Sequence, residues 1–305
     1  MSNIIFFLLL QWVLHTNFGF KNATADNQAV LLQAQKTNLQ RVEAVPVPAN
    51  LSFAGEIVPL DNVDVRERLE RELIQNSYKH AATLIVLKRE GRWKKLIQDE
   101  LKANGIPEDF FYLAVAESEL DVYAASGVGA HGIWQFMKTT AKEFGLEISN
   151  QVDQRRDVLL ATKAACKYLK QSYNKFGNWT LVAASYNRGM SGMEKAITAQ
   201  KENSYYDLYL NQETYRYIFR ILALKVIIEN PENYGFHVPT SEKYKPYDVQ
   251  TVEVAQTIED LAAFAKEKKT NYKTLKTLNP WLDDHDTYKL VVAKTPYQLW
   301  LPTSN

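Results

Sequence analysis

Cysteine is almost absent from this chain. Cys166 is the single one among 305 residues, so no intrachain disulfide can hold the fold together. It falls in an apolar helical stretch, where a buried, inert thiol is expected, and a lone buried thiol is compatible with export into an oxidising space. Histidine is scarce as well: His15, His80, His131, His237 and His285 are scattered without ligand spacing, so neither a metal site nor a cofactor is expected. Charge of one sign is missing, because 36 Lys and Arg against 35 Asp and Glu leave a net +1. Such a chain has no long-range field to gather nucleic acid or anionic lipid, which excludes a polyanion-binding role. Long apolar runs are missing too. The run from Ile4 to Leu14 falls short of the ~20 residues that cross ~30 Å of hydrocarbon, so no stable membrane insertion is expected. It ends before Thr16-Asn17, and Ala23-Thr24-Ala25 supplies a small-x-small cleavage site, so residues 1–25 read as a signal peptide despite an n-region without Lys or Arg.

What the chain does have is 46% hydrophobic and 23% charged residues, enough for one full core and a smaller second unit. Its 17 tyrosines and six tryptophans suit stacking on sugar rings and equally suit core packing. Residues 26–52 are Gln-rich and then Val45-Pro46-Val47-Pro48, which reads as an extended linker. From Asp61 the pattern is helical. Val63, Val65, Leu69, Leu73 and Ile74 form one stripe, Leu84 to Leu101 continues to the Asn104-Gly105 stop, and further helices are expected over 139–144, from Asp157, over 179–186 and over 213–229. After residue 246 the character changes. Tyr247, Val249 and Thr251 alternate like a strand, Thr257 and Asn271 are placed to cap two short helices, and Leu299-Trp300-Leu301-Pro302 closes as a strand.

Within the helical part, Pro107 opens a segment with acids in its first turn, and Glu117 lies seven, four and three residues after Phe110, Leu113 and Ala114. A carboxyl held against apolar groups loses water, which disfavours its charged form and raises its pKa, as a proton donor requires. The competing reading is a helix-end glutamate turned to solvent. Two further blocks follow in order: Ser126-Gly127-Val128-Gly129-Ala130-His131-Gly132-Ile133-Trp134-Gln135, then Ala184-Ser185-Tyr186-Asn187-Arg188-Gly189.

With Glu117-Ser118, these blocks resemble the pattern of the lytic transglycosylases with a goose-type lysozyme fold. The stretch 53–236 is most similar to the membrane-bound D type, including Glu213-Thr214-Tyr215-Arg216-Tyr217. The resemblance implies a mainly α, lysozyme-like (SLT) domain over 53–240. Strand, helix, helix, strand over 246–302 resembles a small α+β LysM module, with a structural cap as the alternative. The implied substrate is the glycan strand of peptidoglycan, and a monomer is expected, periplasmic or envelope-associated after export across the inner membrane. No cysteine lies at the cleavage site, so the protein is not expected to be a lipoprotein.

Glycosidic cleavage usually takes two carboxylates. Asp121 and Asp153 read as surface or capping acids, which leaves Glu117. In the resembling family one glutamate suffices: it protonates the bond after N-acetylmuramic acid and then takes the proton of that sugar's own C6 hydroxyl, giving a 1,6-anhydro ring. By the same resemblance Ser126, Gln135, Tyr186, Asn187 and Tyr217 line the cleft or hold Glu117. Leu120, Ser185 and Arg188 depart from the family pattern, and Arg188 is a candidate for the cleft edge. Gly127, Gly129 and Gly132 permit tight turns or close approach of a sugar. A hydrolytic muramidase using the same acid, or a non-catalytic peptidoglycan-binding protein, remain the alternatives.

Overall fold

The computed structural model describes residues 42–282, 288–293 and 295–303. The expected signal peptide and the first part of the expected linker, residues 1–41, lie outside the described residues. The rest has the expected mainly α architecture with a small α+β unit.

Helix α1 (Val63–Tyr78) starts where Asn62 accepts a hydrogen bond from the Asp64 N–H, and it buries Val65, Leu69 and Leu73. Val63 and Ile74, expected on the same stripe, are exposed, because they flank the face that meets the core. Helix α2 (His80–Ala103) is continuous and ends at Asn104, with Gly105 in the left-handed region. Helix α3 (Phe110–Ser118) begins later than the sequence pattern, after a turn at 107–109. Asp109 makes no cap bond, because its carboxylate accepts from the Ala54 N–H and from Lys225 Nζ, both at 2.7 Å.

Short α4 (Lys138–Glu143) leads through a loop to α5 (Val158–Phe176), which Asp157 caps through the Leu160 N–H. Helix α6 (Trp179–Arg188) is capped by Asn178, and Glu56 also accepts from the N–H groups of Trp179 and Thr180. An acid at that position neutralises the positive end of the helix dipole. At Gly189, with φ +79, the chain breaks and restarts as α7 (Met190–Gln200). Helix α8 (Gln212–Glu229) carries Tyr217, Ile221, Leu224 and Ile228 as expected, but also buries Ile218, Leu222 and Ile227. It is apolar on nearly every side because it runs through the core.

The end of the presumed linker belongs to the fold. Val45, Val47 and Leu51 pack against the core, the Pro46 carbonyl accepts from Tyr234 Oη at 2.7 Å, and β1 (Ser52–Phe53) pairs with β2 (Glu56–Ile57). Polar composition upstream hid three apolar side chains, two of which alternate with prolines.

In the C-terminal unit β3 (Val249–Val254) and β4 (Tyr297–Pro302) pair antiparallel with Thr251 opposite Trp300. Between them lie α9 (Leu261–Glu267) and α10 (Tyr272–Leu278). Asn271 caps α10 as expected, but Asp260 rather than Thr257 caps α9; the Thr257 hydroxyl instead accepts from the Val292 N–H at 3.2 Å. The connection before β4 sends Trp281, Leu282 and Leu290 into the core of this unit, where Val152 from the α4–α5 loop joins them.

The chain between α8 and β3 lies along α2. Arg92 Nε donates to the Lys245 carbonyl at 3.0 Å, and Lys243 binds the buried Glu90. This close crossing requires Gly91, where an added Cβ would stand 2.7 Å from Lys243 Cβ and 2.9 Å from the Tyr244 carbonyl oxygen. A mid-helix Gly→Ala change normally stabilises by about 0.5–1 kcal/mol. Gly91→Ala is expected to do the opposite and lower the thermal midpoint; a raised midpoint in a melt would show the crossing to be loose.

Candidate active site

A cleft of about 570 Å³ opens between α1, the first turns of α2, the end of α3, the 124–135 loop and α8. Its wall includes Glu117, Ser126 and Gln135. Helix α3 is buried along its length except at its last turn, where Glu117 is half-buried. Burial of Phe110 to Val115 on every side of the helix thus positions the carboxylate, and the left-handed Glu119 and Leu120, at φ 53 and 58, turn the chain away at once. Ser118 anchors that turn: buried, its hydroxyl donates to the Ile133 carbonyl at 2.8 Å, tying the helix end to the glycine-rich loop.

Protein atoms surround the Glu117 carboxylate even though one edge reaches the cleft. Burial raises its pKa to about 7, against the lowering effects of the Tyr217 hydrogen bond and of the Arg220 charge, with Glu213 adding slightly to the rise. Tyr217 Oη donates to Glu117 Oε1. Burial and the facing Glu117 charge push the Tyr217 phenol well above its usual range, so it stays a neutral donor.

The other expected residues are placed as follows. Ser126 sits on the wall, and its Oγ accepts from the Ala130 N–H at 3.0 Å. Gln135, left-handed at φ 46, donates its amide to the carbonyls of Ala124 and Gly132, at 3.1 and 2.9 Å. Tyr186 packs behind the wall, its Oη donating to the Trp134 carbonyl at 2.8 Å and its ring against Tyr168. Asn187 is outside the cleft lining. Its amide donates to Glu213 Oε1 at 2.9 Å and its Oδ1 accepts from Thr214 Oγ1 at 2.8 Å, which joins α6 to α8. Arg188 folds onto the start of α7, donating to the Gly192 carbonyl, rather than reaching the cleft edge.

Ser185 is fully buried, and its Oγ bonds Ser172 Oγ at 2.7 Å, so a hydroxyl on α5 satisfies the departure. Of the three glycines, only Gly132 meets a close approach, and the neighbour is the Arg155 carbonyl rather than open cleft.

Asp121 and Asp153 are both structural. Asp121 accepts from Arg89 Nη2 at 2.8 Å and from the Tyr123 N–H. Burial would raise the pKa of Asp153, but the hydrogen bonds and charge of Arg155 outweigh it and hold the carboxyl below its usual value. Sequence reasoning missed the contribution of α1. Glu72, on the cleft wall, is buried and held by Arg216 through bonds of 2.7 and 3.2 Å, and Lys79 pairs with Glu119 at 3.3 Å on the rim. No local spacing links residue 72 to residue 216; only packing of α1 on α8 does.

Residues 95–209 match the family model of the transglycosylase SLT domain, and residues 250–305 match that of the soluble lytic transglycosylase C-terminal LysM-like domain. Over 236 residues, 75% of the chain, it is 32% identical to membrane-bound lytic murein transglycosylase D of Escherichia coli (strain K12), of which it covers 51%. The chain therefore spans about half the length of the curated relatives it matches. Among solved structures, an inactive mutant of the lytic transglycosylase Slt from Pseudomonas aeruginosa aligns with a TM-score of 0.36 and 23% identity, over 50% of this chain and 26% of that one. The cleft-bearing, mainly helical part of the chain therefore contains a transglycosylase SLT domain, and a soluble lytic transglycosylase C-terminal LysM-like domain follows it.

Proposed function

We propose that this protein is a peptidoglycan lytic transglycosylase that cleaves the β-1,4 bond between N-acetylmuramic acid and N-acetylglucosamine without water, in the cell envelope. One observation carries the reading: among the described residues that line the cleft, Glu117 is the desolvated carboxyl that no ion pair holds. Among the described residues the other carboxylates on the wall are occupied, Glu72 by Arg216 and Glu119 by Lys79 at the rim. A hydrolase usually takes a second carboxylate to activate water or act as nucleophile, whereas attack by the substrate's own hydroxyl does not require one.

In the first step Glu117 gives its proton to the glycosidic oxygen, the C1–O bond breaks, and N-acetylglucosamine leaves as an alcohol. Positive charge spreads over C1 and the ring oxygen while Glu117 becomes a carboxylate steadied by the Tyr217 hydroxyl. That carboxylate then takes the proton of the C6 hydroxyl, and the C6 oxygen bonds to C1. The proton count closes, and Glu117 ends protonated as it began. The LysM-like unit is read as a further contact to the glycan.

The pH dependence follows from the direction of the shift. Bond breaking requires protonated Glu117, so kcat/KM on a soluble glycan should fall as pH rises through about 7, and the limb should vanish in Glu117→Gln. A limb near the usual 4.5 would contradict the burial argument. Stability should follow the same group. Between the unfolded value of 4.5 and about 7 the folded state holds more protons, so this term is lost as pH rises through that window. Above neutral pH Glu117→Gln should be more stable than the wild type by up to about 3 kcal/mol, and below pH ~4 the two should match.

A further inference from the structure

We propose that the C-terminal unit clamps the substrate-facing loop of the cleft, so that it acts in catalysis by positioning and not only by holding the wall. The inference rests on the transglycosylase reading for its kinetic arm alone. The link runs through the α4–α5 loop. On its outer side that loop docks on the C-terminal unit: Val152 pairs with Leu282 and enters the unit's apolar core, the Asp153 N–H donates to the Trp281 carbonyl at 2.7 Å, and Tyr297 Oη donates to Glu147 at 2.9 Å. The Val291 N–H also donates to Gln151 Oε1 at 3.0 Å.

On its inner side the same loop holds the glycine-rich segment. Asp153 fixes the buried Arg155 through two bonds, Nε to Oδ1 at 2.8 Å and Nη2 to Oδ2 at 2.6 Å. Arg155 Nη1 then donates to the carbonyls of Gly129 and Phe136, at 2.9 and 3.1 Å. Those two residues bracket the 129–136 turn that presents Gln135 to the cleft, and the Arg155 carbonyl packs against Gly132 in the middle of it. The outer and inner contacts meet at Asp153: its backbone belongs to the docked surface and its side chain to the hub.

A buried guanidinium reaches a carbonyl within hydrogen-bond tolerance only where its own anchor is fixed to a few tenths of an ångström. Releasing the α4–α5 loop from the C-terminal unit therefore frees the turn that carries Gln135, which then keeps its tie to the end of α3 through the Ser118 bond to the Ile133 carbonyl. Arg155 is a positioning residue here, and Leu282 and Tyr297 act through it.

The test uses the full chain carrying Leu282→Ala and, as a milder change that leaves the apolar core intact, Tyr297→Phe with Gln151→Ala. Two quantities are read: hydrogen exchange of backbone amides over 124–136, and kcat and KM on a short soluble uncross-linked peptidoglycan fragment. For Leu282→Ala, loop exchange should rise about tenfold or more while the amides of α5 and α8 keep their protection, and kcat should fall about tenfold with KM nearly unchanged. The double variant should move both in the same direction by a smaller factor, and it decides the matter if Leu282→Ala unfolds globally. Unchanged loop exchange and unchanged kcat, with only wall binding lost, would overturn the clamp. Loosened loop amides in a protein whose wild type turns over no glycan would uphold the clamp and refute the transglycosylase reading.

Discussion

Glu117→Gln should lower turnover of peptidoglycan by about 10²- to 10⁴-fold, the range typical of general acid–base catalysis, while glycan binding survives. The amide keeps the shape of the carboxyl, and its oxygen still accepts from Tyr217, so the cleft should be undisturbed. It cannot give up a proton to the glycosidic oxygen, and it cannot take one from the C6 hydroxyl. Both halves of the proposed cycle fail together, so weak binding is not expected to accompany the loss of rate. Turnover assays with a binding measurement on the same sacculi separate the two. Near-normal turnover would remove Glu117 from the chemistry whatever the family.

Gly132→Ala should be the most damaging single methyl in the structure. The residue sits at φ +79, where an L side chain costs about 1–2 kcal/mol. An added Cβ would also fall 1.8 Å from the Arg155 carbonyl oxygen and 2.7 Å from its carbon, both backbone atoms that cannot swing aside. Moving that backbone shifts a buried ion pair, and breaking such a pair costs about 3–5 kcal/mol. The sum, about 4 kcal/mol or more, is a large share of the ~5–15 kcal/mol that holds a typical domain. Gly129→Ala is the matched control. It shares a positive φ of +87 but meets nothing within 4 Å, so it should lose only about 1–2 kcal/mol. Denaturant unfolding of the two variants should therefore differ by a wide margin, and equal midpoints would show that the loop relaxes freely.

The sequence made the helices legible because their signals are local. Asn104-Gly105, Asp157, Asn178 and Asn271 act at helix ends within a few residues of where they stand. Glu117 was legible for the same reason, since its apolar neighbours lie three, four and seven positions away on one helix. What escaped depends on residues distant in the chain. Asp109 is taken from its helix by Ala54 and Lys225, and Glu72 becomes a locked acid only because α1 packs beside Arg216. Asn187 belongs here as well: its bonds to Glu213 and Thr214 join two helices that no local spacing links. Asp153 went the other way: it reads as a capping acid and does cap, but the Arg155 hub it anchors had no local signal.

The central claim is that one carboxyl, with the substrate's own hydroxyl as nucleophile, does the work of two. Digesting sacculi in water enriched in heavy oxygen and weighing the released fragments tests it most directly. The account predicts muramic-acid ends one water lighter than hydrolysis would give, carrying no heavy oxygen, and released about 10²- to 10⁴-fold more slowly by Glu117→Gln. Reducing ends labelled with heavy oxygen would contradict it and assign the cleft to a hydrolase.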